Sequence, residues 1–391
     1  MVPKALLPHA PAANVRDVCL EQSAVAMAWT GVGRPHEAIA VPGIVLGEGE
    51  ALVAIELATI CGSDVHTVAG HRPAPTPLVL GHEHVGRVLD VAEGVTDVSG
   101  HVVNPGDRII WSVMASCGDC DRCRRGLPQK CRHLLKYGHE RLQTHWELTG
   151  GFSTHAHLRA GTAIVRVGET LGAEVLAPAA CGGATAWAAL RAAEQVTPLE
   201  GSAVLILGAG LIGLTATAIA ADRGATVVVA DPDPARRELA LRFGARHVVD
   251  PTAGKAVAKA LGRIDANEYG IVLEASGSPH AVAQAIEVIG VGGVVVLVGS
   301  VSPTEPIPFD PERLVRGLAT LRGVHNYTPH DLDEVVQYLK ERAGEHPFDE
   351  LVSARYPLAQ LDQALVAAAS GVAVRVGVDP RDALRRGLHR R

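Results

Sequence analysis

The chain has no excess of positive charge and no basic stripe along its length. Its 391 residues include 36 lysines and arginines against 42 acidic residues, which gives a formal net charge of −6. Proteins that bind nucleic acids usually carry a clustered basic surface. The composition therefore argues against nucleic acid as a principal partner, and we interpret the short basic segment RDALRRGLHRR as a solvated C-terminal end.

Signals for export and for membrane insertion are also missing. The N-terminal stretch MVPKALLPHAPAANVRD is interrupted by prolines and lacks the apolar core of a signal peptide. Residues 203–221, AVLILGAGLIGLTATAIAA, carry no charge and have the length of a membrane span. However, their three glycines and the change from a β-rich to an alanine-rich run predict a strand, a tight turn and a buried helix. We therefore expect a soluble, cytoplasmic protein with no membrane partner.

The chain has no internal repeat and no low-complexity linker, and its length suggests ~2–3 domains. Residues 40–115 contain short valine-rich runs broken by glycine and proline, which is typical of an irregular, mostly β domain. From about Ala184, the apolar strands AVLILGA, TVVVAD, HVVD, GIVLEAS and VVVLVGS alternate with helical stretches such as PARRELALRFG and PHAVAQAIEVIG. This alternation predicts an α/β unit with a doubly wound parallel sheet. Beyond about Tyr327 we expect a helix, LDEVVQYLKERAG, and final strands near SARYPLAQ and VAVRVGVDP.

The motif GAGLIG lies between the strand AVLIL and the helix that follows it. Its glycines have the G-x-G-x-x-G spacing that permits a tight turn and a close approach of the backbone to a pyrophosphate, which the helix N-terminus also favours. We therefore predict a dinucleotide-binding site in this unit. Its expected contacts within the motif and in the strand VVVLVGS are Gly208, Gly210, Leu211, Ile212, Gly213 and Val298.

Asp231 ends the next strand, TVVVAD, at about the distance expected for an acidic residue that binds ribose. A carboxylate at this position accepts hydrogen bonds from the ribose hydroxyls and repels a 2′-phosphate, so NAD is favoured over NADP. The alternative is an ordinary turn residue before Pro232. Arg236, at the start of the following helix, could contact the ribose or face solvent.

Four of the seven cysteines lie in one short stretch, CGDCDRCRRGLPQKC. Four thiolates on one loop can wrap a tetrahedral zinc ion and leave no open position, so such a zinc would be structural. A redox relay fits poorly because it needs an exposed thiol of low pKa at a helix start, and an iron–sulfur cluster is a second alternative. In a chain with no export signal, metal thiolates in a reducing compartment are favoured over disulfides. The predicted ligands are Cys117, Cys120, Cys123 and Cys131.

A second set of metal ligands is spread along the chain. Cys61 in CGSDVH, His82 in GHEHVG and Cys181 in PAACGGATAW would form a Cys₂His set, which leaves the fourth position of a zinc ion open for substrate. Each residue alone has an ordinary interpretation, since a single cysteine is usually a small buried hydrophobe. Cys19 fits neither set, and we interpret it as structural.

Taken together, these motifs resemble the zinc-dependent medium-chain alcohol dehydrogenases over essentially the whole chain. CGSD, GHEHVGRVLDVAEGV, GDRI, the four-cysteine loop, GAGLIG and VRVGV occur in the order of that family. The resemblance implies a GroES-like, β-rich catalytic domain formed by residues 1–183 and 327–391, with a Rossmann NAD-binding domain of residues 184–326 inserted. It also implies two zinc ions per chain and a homo-oligomer, either a dimer or a tetramer.

The resemblance further implies roles for residues near the catalytic zinc. Cys61, His82 and Cys181 match its ligands, Glu83 matches a glutamate that can approach the metal during ligand exchange, and Asp64 matches the carboxylate that orients the zinc histidine.

The resemblance extends to the residues that move protons and bind the cofactor. Ser63 and His66 match a proton relay, in which histidine suits the outer end because its charge changes near neutral pH. Arg375 matches a basic residue near the cofactor phosphates. Gly62 is a departure, since several family members carry arginine there, and this puts one phosphate contact in doubt.

Three segments resemble a narrower subgroup that is associated with phosphonate metabolism: LPQKCRHLLKYGHE, ADPDPARRELALRFGA and DPERLVRGLATLRGVHNYTPHDLDEVVQYL. This resemblance implies a hydroxyalkylphosphonate as the alcohol that is oxidised. Arg72, Lys136 and Arg141 could contact such a phosphonate, or they could be surface charges. The loop of residues 137–149 is expected to line the substrate pocket.

Other functions remain open at this stage. The enzyme could oxidise a secondary alcohol, a polyol or a terpenoid alcohol unrelated to phosphonates. A non-catalytic NAD-binding protein on the same fold would have lost its metal ligands, whereas all of them are present here. Quinone and enoyl reductases are disfavoured because they lack the four-cysteine loop and the Cys/His set.

Overall fold

The computed structural model describes residues 15–381. The expectation for residues 1–14, and that for the basic residues 382–391, lie outside the described residues. The strands are β1 (Arg16–Trp29), β2 (Glu37–Leu46), β3 (Ala51–Thr59), β4 (Leu78–Val79), β5 (Glu83–Val91), β6 (Arg108–Ala115), β7 (Leu135–Lys136), β8 (His155–Leu158), β9 (Thr162–Arg166), β10 (Ala203–Leu207), β11 (Thr226–Ala230), β12 (His247–Val249), β13 (Tyr269–Glu274), β14 (Ile289–Leu297), β15 (Thr320–Gly323), β16 (Val352–Pro357) and β17 (Arg375–Asp379).

Most of the helices lie in the second half of the chain. They are α1 (Gly62–Val68), α2 (Asp121–Arg124), α3 (Ala173–Pro178), α4 (Ala184–Glu194), α5 (Leu211–Asp222), α6 (Pro234–Arg242), α7 (Ala256–Ala260), α8 (Pro279–Val288), α9 (Pro311–Gly317), α10 (Pro329–Arg342) and α11 (Leu361–Ala369). A π-helical turn, Ala179–Gly183, separates α3 from α4. Among the described residues, no helix combines the length and the apolar character that crossing a membrane requires.

The second half of the chain forms a parallel sheet with the strand order β12-β11-β10-β13-β14-β15. Each neighbouring pair is parallel, and β10 lies between β11 and β13. This is the order of a dinucleotide-binding doubly wound fold, in which the strand order reverses beside the first strand. The predicted parallel α/β unit is confirmed.

Burial explains why the uncharged stretch of residues 203–221 belongs to this sheet. All five residues of β10 are buried, as expected for a strand covered by helices on both faces. Helix α5 is apolar on every side because it packs between this sheet and the rest of the molecule. The predicted strand, turn and buried helix are confirmed.

One predicted boundary is displaced. The stretch PHAVAQAIEVIG was predicted as helix throughout, but α8 ends at Val288 and β14 begins at Ile289. The following sequence contains Gly290, Gly292 and Gly293, and Gly292 has φ +71°. Glycine is unfavourable inside a helix, so the chain leaves the helix where the glycines begin.

The remaining strands form the β-rich part of the molecule. A sheet with the order β16-β17-β3-β5-β6-β7 also carries β8 on β3 and β9 on β6, and a smaller sheet has the order β2-β1-β4. Near the end of the described chain, β17 pairs antiparallel with β3, which lies near its beginning. Strands from the early and the late part of the described chain therefore belong to one sheet.

One of the three buried apolar clusters among the described residues contains residues from both parts of the molecule. Leu57 and Val85, from the β-rich sheet, belong to the same buried cluster as Leu211 and Leu214 of α5. The π-helical turn lies between the parts, since a Cβ added at Gly182 would fall 2.3 Å from the Leu211 side chain. Residues on this turn therefore face both the β-rich sheet and the start of α5.

Candidate metal centre and cofactor turn

Three elements bring the predicted catalytic ligands together. Cys61 precedes α1, His82 precedes β5, and Cys181 lies in the π-helical turn. One ligand atom from each residue lies within 4.8 Å of the other two. Two thiols and one imidazole in contact form the N/S donor set that zinc prefers, and three protein ligands leave a fourth position open. The residues present therefore fit a catalytic zinc.

Asp64 fixes the position of two of these ligands. Its buried carboxylate accepts the backbone N–H of Cys61 at 2.9 Å and that of Gly81 at 3.2 Å, and it lies 3.5 Å from His82 Nδ1. His82 Nδ1 is buried with no hydrogen bond, so Asp64 is the group it faces. The opposite ring nitrogen, Nε2, therefore faces the thiols of Cys61 and Cys181.

Charge explains the protonation of these groups when no metal is bound. Burial alone would lower the pKa of His82, but Asp64 raises it to about 10. The hydrogen bond with Cys181 lowers the pKa of Cys61 well below its usual range. A thiolate is therefore ready at Cys61, and thiolate is the form of cysteine that binds metal.

Glu83 is held by an arginine from the far end of the chain. Arg375 donates from Nε and Nη2 to the two carboxylate oxygens at 2.7 and 2.9 Å, and Thr59 donates to Oε2 at 2.6 Å. Burial raises the pKa of Glu83 to about 7 against the opposing charge of Arg375. Arg375 Nη2 also lies 3.9 Å from Cys61 Sγ. The sequence indicated both residues but not their ion pair.

Ser63 and His66 take different positions on α1. Ser63 Oγ lies 3.4 Å from His82 Nε2, beside the candidate metal ligands. His66 is exposed, and its ring centroid is 5.8 Å from that of His71. The helix therefore runs from the candidate metal centre to the surface.

A second histidine near the metal ligands was missed by the sequence analysis. The ring centroid of His139 is 4.9 Å from that of His82. Its Nδ1 donates to the carbonyl of Tyr137 at 2.8 Å, because a carbonyl only accepts, and its Nε2 therefore accepts from Arg72 Nη1 at 3.2 Å. The only sequence signal was its position in the stretch 137–149, which we expected to line the substrate pocket.

The four-cysteine loop forms a compact cluster of free thiols. Sulfur–sulfur distances of 3.4, 3.5 and 3.9 Å separate neighbouring members. Four sulfurs placed 2.3 Å from a tetrahedral zinc would be about 3.8 Å apart, so the cluster fits that ion. The members are Cys117, Cys120, Cys123 and Cys131.

Backbone groups of the loop already favour the thiolate form. The backbone N–H of Cys117 and that of His133 donate to Cys131 Sγ, both at 3.3 Å. The backbone N–H of Arg132 donates to Cys120 Sγ at 3.5 Å, and such contacts lower the pKa of Cys120 to about 6. Burial nevertheless raises the pKa of Cys123 to about 12 and also raises that of Cys131, so the backbone donors favour the thiolate at Cys120 and oppose the effect of burial at Cys131.

The glycines of GAGLIG have different roles in the turn from β10 to α5. Gly208 has φ +103°, and a Cβ at Gly213 would lie 1.8 Å from the Gly208 carbonyl oxygen. A Cβ at Gly210 would meet nothing within 4 Å, and no side chain caps the N-terminus of α5. The open space and the free backbone N–H groups fit a pyrophosphate.

Asp231 lies at the edge of this turn. Its Oδ2 accepts the backbone N–H of Ala209 at 2.7 Å, and its Oδ1 accepts that of Asp233 at 2.9 Å. Arg236 Nη2 donates to the carbonyls of Gly371 and Ala373 at 2.7 and 3.0 Å. Arg236 thus links α6 to the segment before β17, an arrangement that the sequence analysis did not include.

The other expected cofactor residues complete the surroundings of the turn. Leu211 is buried, Ile212 packs against the same apolar cluster, and the backbone N–H of buried Val298 donates to the Glu274 carbonyl at 2.9 Å. Their role toward a cofactor stays a prediction.

Two family descriptions match the chain. Residues 47–169 match the alcohol dehydrogenase GroES-like domain, and residues 212–341 match the zinc-binding dehydrogenase domain. Geraniol dehydrogenase of Castellaniella defragrans is 33% identical over 83% of this chain and 89% of its own length. L-galactonate-5-dehydrogenase of Escherichia coli is 31% identical, over 81% and 86% respectively.

Solved structures give the same result. An alcohol dehydrogenase from Thermotoga maritima superposes with a TM-score of 0.85 at 30% identity, covering 91% of this chain and 99% of that one. A zinc-binding dehydrogenase from Sinorhizobium meliloti bound to NADP has a TM-score of 0.79 at 27% identity, covering 92% and 100%. The similarity therefore extends over both the β-rich part and the parallel sheet.

Proposed function

The chain belongs to the zinc-dependent alcohol dehydrogenase family, and on that premise we propose that it transfers a hydride between an alcohol and NAD, giving an aldehyde or a ketone. The observation that carries this proposal is the convergence of Cys61, His82 and Cys181, whose ligand atoms lie within 4.8 Å of one another. A non-catalytic protein on this fold would have no reason to keep an open Cys₂His set.

In this proposal Cys61, His82 and Cys181 hold the catalytic zinc, which when bound supplies Lewis-acid activation of the alcohol. Asp64 holds Cys61 and His82 in place through the contacts described above, as carboxylates do behind metal-bound histidines. Glu83 is the nearby acidic group of the site, and its carboxylate is restrained by Arg375.

Two residues on α1 are proposed to move the proton. Ser63 Oγ, 3.4 Å from His82 Nε2, would accept the proton of the alcohol and pass its own hydroxyl proton onward. His66, exposed on the same helix, releases that proton to solvent. We propose that the ribose of the cofactor, when NAD is bound, would connect these two residues.

The cofactor is proposed to be NAD. Gly208, Gly210 and Gly213 shape the turn that receives its pyrophosphate, and Asp231 accepts hydrogen bonds from its ribose. A 2′-phosphate would meet the negative charge of Asp231. The relative from Sinorhizobium meliloti was solved with NADP, so the kcat/KM values of this protein for NAD and for NADP should be compared directly.

The architecture is proposed to follow the family. Residues 1–183 and 327–391 form the catalytic domain, with the four-cysteine loop binding a structural zinc, and residues 184–326 form the cofactor domain. The pairing of β17 with β3 supports this division, because it joins the two ends of the chain. We also propose a cytoplasmic homo-oligomer, for which the reduced thiols of the loop support the reducing compartment.

Two classes of alcohol are candidates for the substrate. The sequence resemblance to the phosphonate-associated subgroup favours a hydroxyalkylphosphonate. The names of the relatives, a geraniol dehydrogenase and an L-galactonate-5-dehydrogenase, support a terpenoid alcohol or a polyol as the second candidate.

The proposed function is tested by metal analysis together with the absorbance of NADH. The wild-type protein should contain two zinc ions per chain and oxidise an alcohol with a higher kcat/KM for NAD than for NADP. Cys61→Ser should retain one zinc ion and bind NAD, but its turnover should fall at least a hundredfold because the open site has lost a ligand.

Cys19→Ser provides the matched control. Cys19 is exposed in β1 and belongs to neither cluster, so this variant should keep both zinc ions and full turnover. Full turnover in Cys61→Ser would exclude the proposed site. A wild-type protein with one zinc ion or none, and no turnover, would support a non-catalytic protein instead.

A further inference from the structure

Two of the candidate zinc ligands adjoin one sheet, whereas the third lies in a helical turn. Cys61 follows β3 and His82 precedes β5, and these two strands pair with each other next to the ligands. Asp64 also holds both segments through backbone hydrogen bonds. Cys181 instead lies in the π-helical turn between α3 and α4, outside the sheet. The position of its thiol therefore depends on how this turn is attached to the sheet.

A tyrosine hydroxyl attaches the turn to the sheet. The backbone N–H of Val113, in β6, donates to the hydroxyl oxygen of Tyr327 at 3.0 Å, and this hydroxyl donates to the carbonyl oxygen of Ala180. Both directions are fixed, because a backbone N–H only donates and a carbonyl only accepts. Strand β6 pairs with β5, which begins directly after His82. One hydroxyl therefore joins the sheet next to His82 to the residue that precedes Cys181.

Other contacts of the turn fix its orientation less. Ala180 lies in the same buried apolar cluster as Val85 of β5. Apolar packing is not directional, so it holds the turn against the sheet without setting the rotation of the turn. Thr185 Oγ1 donates to the carbonyl of Cys181 at 2.8 Å, but Thr185 lies on the helix that continues from the turn and moves with it. The Tyr327 hydroxyl supplies a directional contact between the turn and β6.

The Tyr327 side chain is buried, and both partners of its hydroxyl are backbone groups. It is 1% exposed and packs in the same apolar cluster as the turn. It lies between β15 and Thr328, whose side chain caps the first turn of α10. Buried tyrosine hydroxyls usually have hydrogen-bond partners, because an unpaired buried polar group is unfavourable. Rotation of the turn away from β6 would cost the hydroxyl one of its two partners, so this contact favours one orientation.

We propose that Tyr327 is a positioning residue for the candidate catalytic zinc. Its hydroxyl orients the π-helical turn on β6 and so sets the place of the Cys181 thiol relative to Cys61 and His82. Tyr327 acts through the backbone of Ala180 and not as a ligand. The inference rests on the proposed function, because it assumes that these three ligands hold a zinc ion. Replacing a residue that orients a metal ligand typically changes metal affinity or activity by about 10–100-fold.

The test is Tyr327→Phe, which removes the hydroxyl and keeps the buried ring, so the fold should be retained. A metal-sensitive chelating dye removes the two zinc ions from the holoenzyme, and its absorbance gives the rate of each release. The release phase that is missing in Cys61→Ser belongs to the catalytic zinc. In Tyr327→Phe this phase should be at least tenfold faster, whereas release from the four-cysteine loop should keep the wild-type rate.

Tyr269→Phe is the matched control. Tyr269 is 0% exposed in the parallel sheet, and its hydroxyl also donates to a backbone carbonyl, that of Val257, at 2.8 Å. Both variants lose a buried tyrosine hydrogen bond and should lower the thermal midpoint by similar amounts. Tyr269→Phe should nevertheless release both zinc ions at the wild-type rates. Equal acceleration of both release phases in the two variants would mean that Tyr327 contributes only to general stability, and would overturn the inference.

The absorption spectrum of cobalt measures the ligand geometry without turnover. When Co²⁺ replaces the catalytic zinc, its visible bands depend on the type and arrangement of the donor atoms. Tyr327→Phe should shift these bands, and Tyr269→Phe should leave them unchanged.

Two results separate this inference from the proposed function. Wild-type zinc release together with a wild-type cobalt spectrum in Tyr327→Phe would overturn the positioning role, while an active wild type with two zinc ions would leave the dehydrogenase function standing. A wild-type protein that lacks the zinc ion at Cys61 would defeat the proposed function, and the inference with it.

Discussion

At the scale of single residues, Asp64 and Arg375 organise the candidate metal centre. Asp64 holds the backbone before α1 and the backbone before His82, so one buried carboxylate sets the positions of two candidate ligands. Arg375 holds Glu83 by two hydrogen bonds and lies near Cys61. Neither residue needs to touch a substrate to affect the geometry of the site.

The proton relay makes a prediction at this scale. His66→Ala should slow turnover mainly at lower pH, because at higher pH solvent base can replace the missing imidazole. The loss should be about tenfold near pH 6 and small near pH 9, measured as the pH dependence of kcat/KM. His71→Ala removes the neighbouring exposed imidazole and should leave the profile unchanged. An unaltered pH profile in His66→Ala would remove that histidine from the relay.

The residues that could be predicted from the sequence are those with a local signature. Cys61 and His82 stand in short motifs, and the structure brings them together with Cys181. The Glu83–Arg375 pair could not be predicted, because 292 positions separate the two residues. Neither local sequence contains a pattern that indicates the other residue as its partner. His139 was missed for the same reason, since a single histidine in a loop has no periodicity or spacing that indicates a partner.

At the scale of elements, glycine occurs for two different reasons in the turn between β10 and α5. Gly213 is needed for packing, because a Cβ there would meet the Gly208 carbonyl oxygen at 1.8 Å. Gly210 faces open space and its φ of −79° is accessible to any residue, so the described protein atoms do not require glycine there. The remaining reason for glycine at 210 is the close approach of a cofactor.

A matched pair of variants tests this distinction. Gly213→Ala should lower the thermal midpoint by several degrees, because the helix must shift away from the turn. Gly210→Ala should keep the midpoint of the cofactor-free protein but weaken NAD binding at least tenfold, because its methyl group occupies the pyrophosphate site. Thermal unfolding and NAD titration of both variants check the pair. Unchanged NAD affinity in Gly210→Ala would place the pyrophosphate elsewhere.

Element types were predictable where compact apolar strands alternate with longer helical stretches. The strands AVLIL and TVVVA and the helix PARRELALR occur where the alternation of runs places them. The end of α8 was misplaced because the apolar residues of IEVIGVGGVVV continue without a break from helix into strand. In such a run, only the glycines indicate where the helix ends, and their exact effect depends on packing against the sheet.

At the scale of the whole molecule, α10 connects the parallel sheet to the return of the chain toward the β-rich part. Its first turn is capped by Thr328, and its Asp331 accepts two hydrogen bonds from Arg191 of α4, at 2.6 and 3.0 Å. Alternating strands and helices predicted the parallel sheet, and the resemblance implied the join of the two chain ends. This link between helices 140 positions apart was not predictable from either segment.

The buried carboxylate at this link makes the last prediction. Asp331 is 0% exposed whereas Arg191 is 41% exposed. Arg191→Met leaves the buried carboxylate without its cationic partner, so it should lower the free energy of unfolding by roughly 2–3 kcal/mol. This loss of free energy of unfolding is smaller than that expected for a fully buried pair, because solvent already screens the arginine.

Arg316→Met is its control: the Arg316–Glu312 pair is 78% and 67% exposed, and its loss should cost less than about 0.5 kcal/mol. Urea unfolding of the zinc-loaded proteins compares the two, and adding Asp331→Asn to Arg191→Met should recover part of the loss because it removes the unpaired charge. Equal midpoints for Arg191→Met and Arg316→Met would mean that the α4–α10 link contributes no more to stability than a surface ion pair.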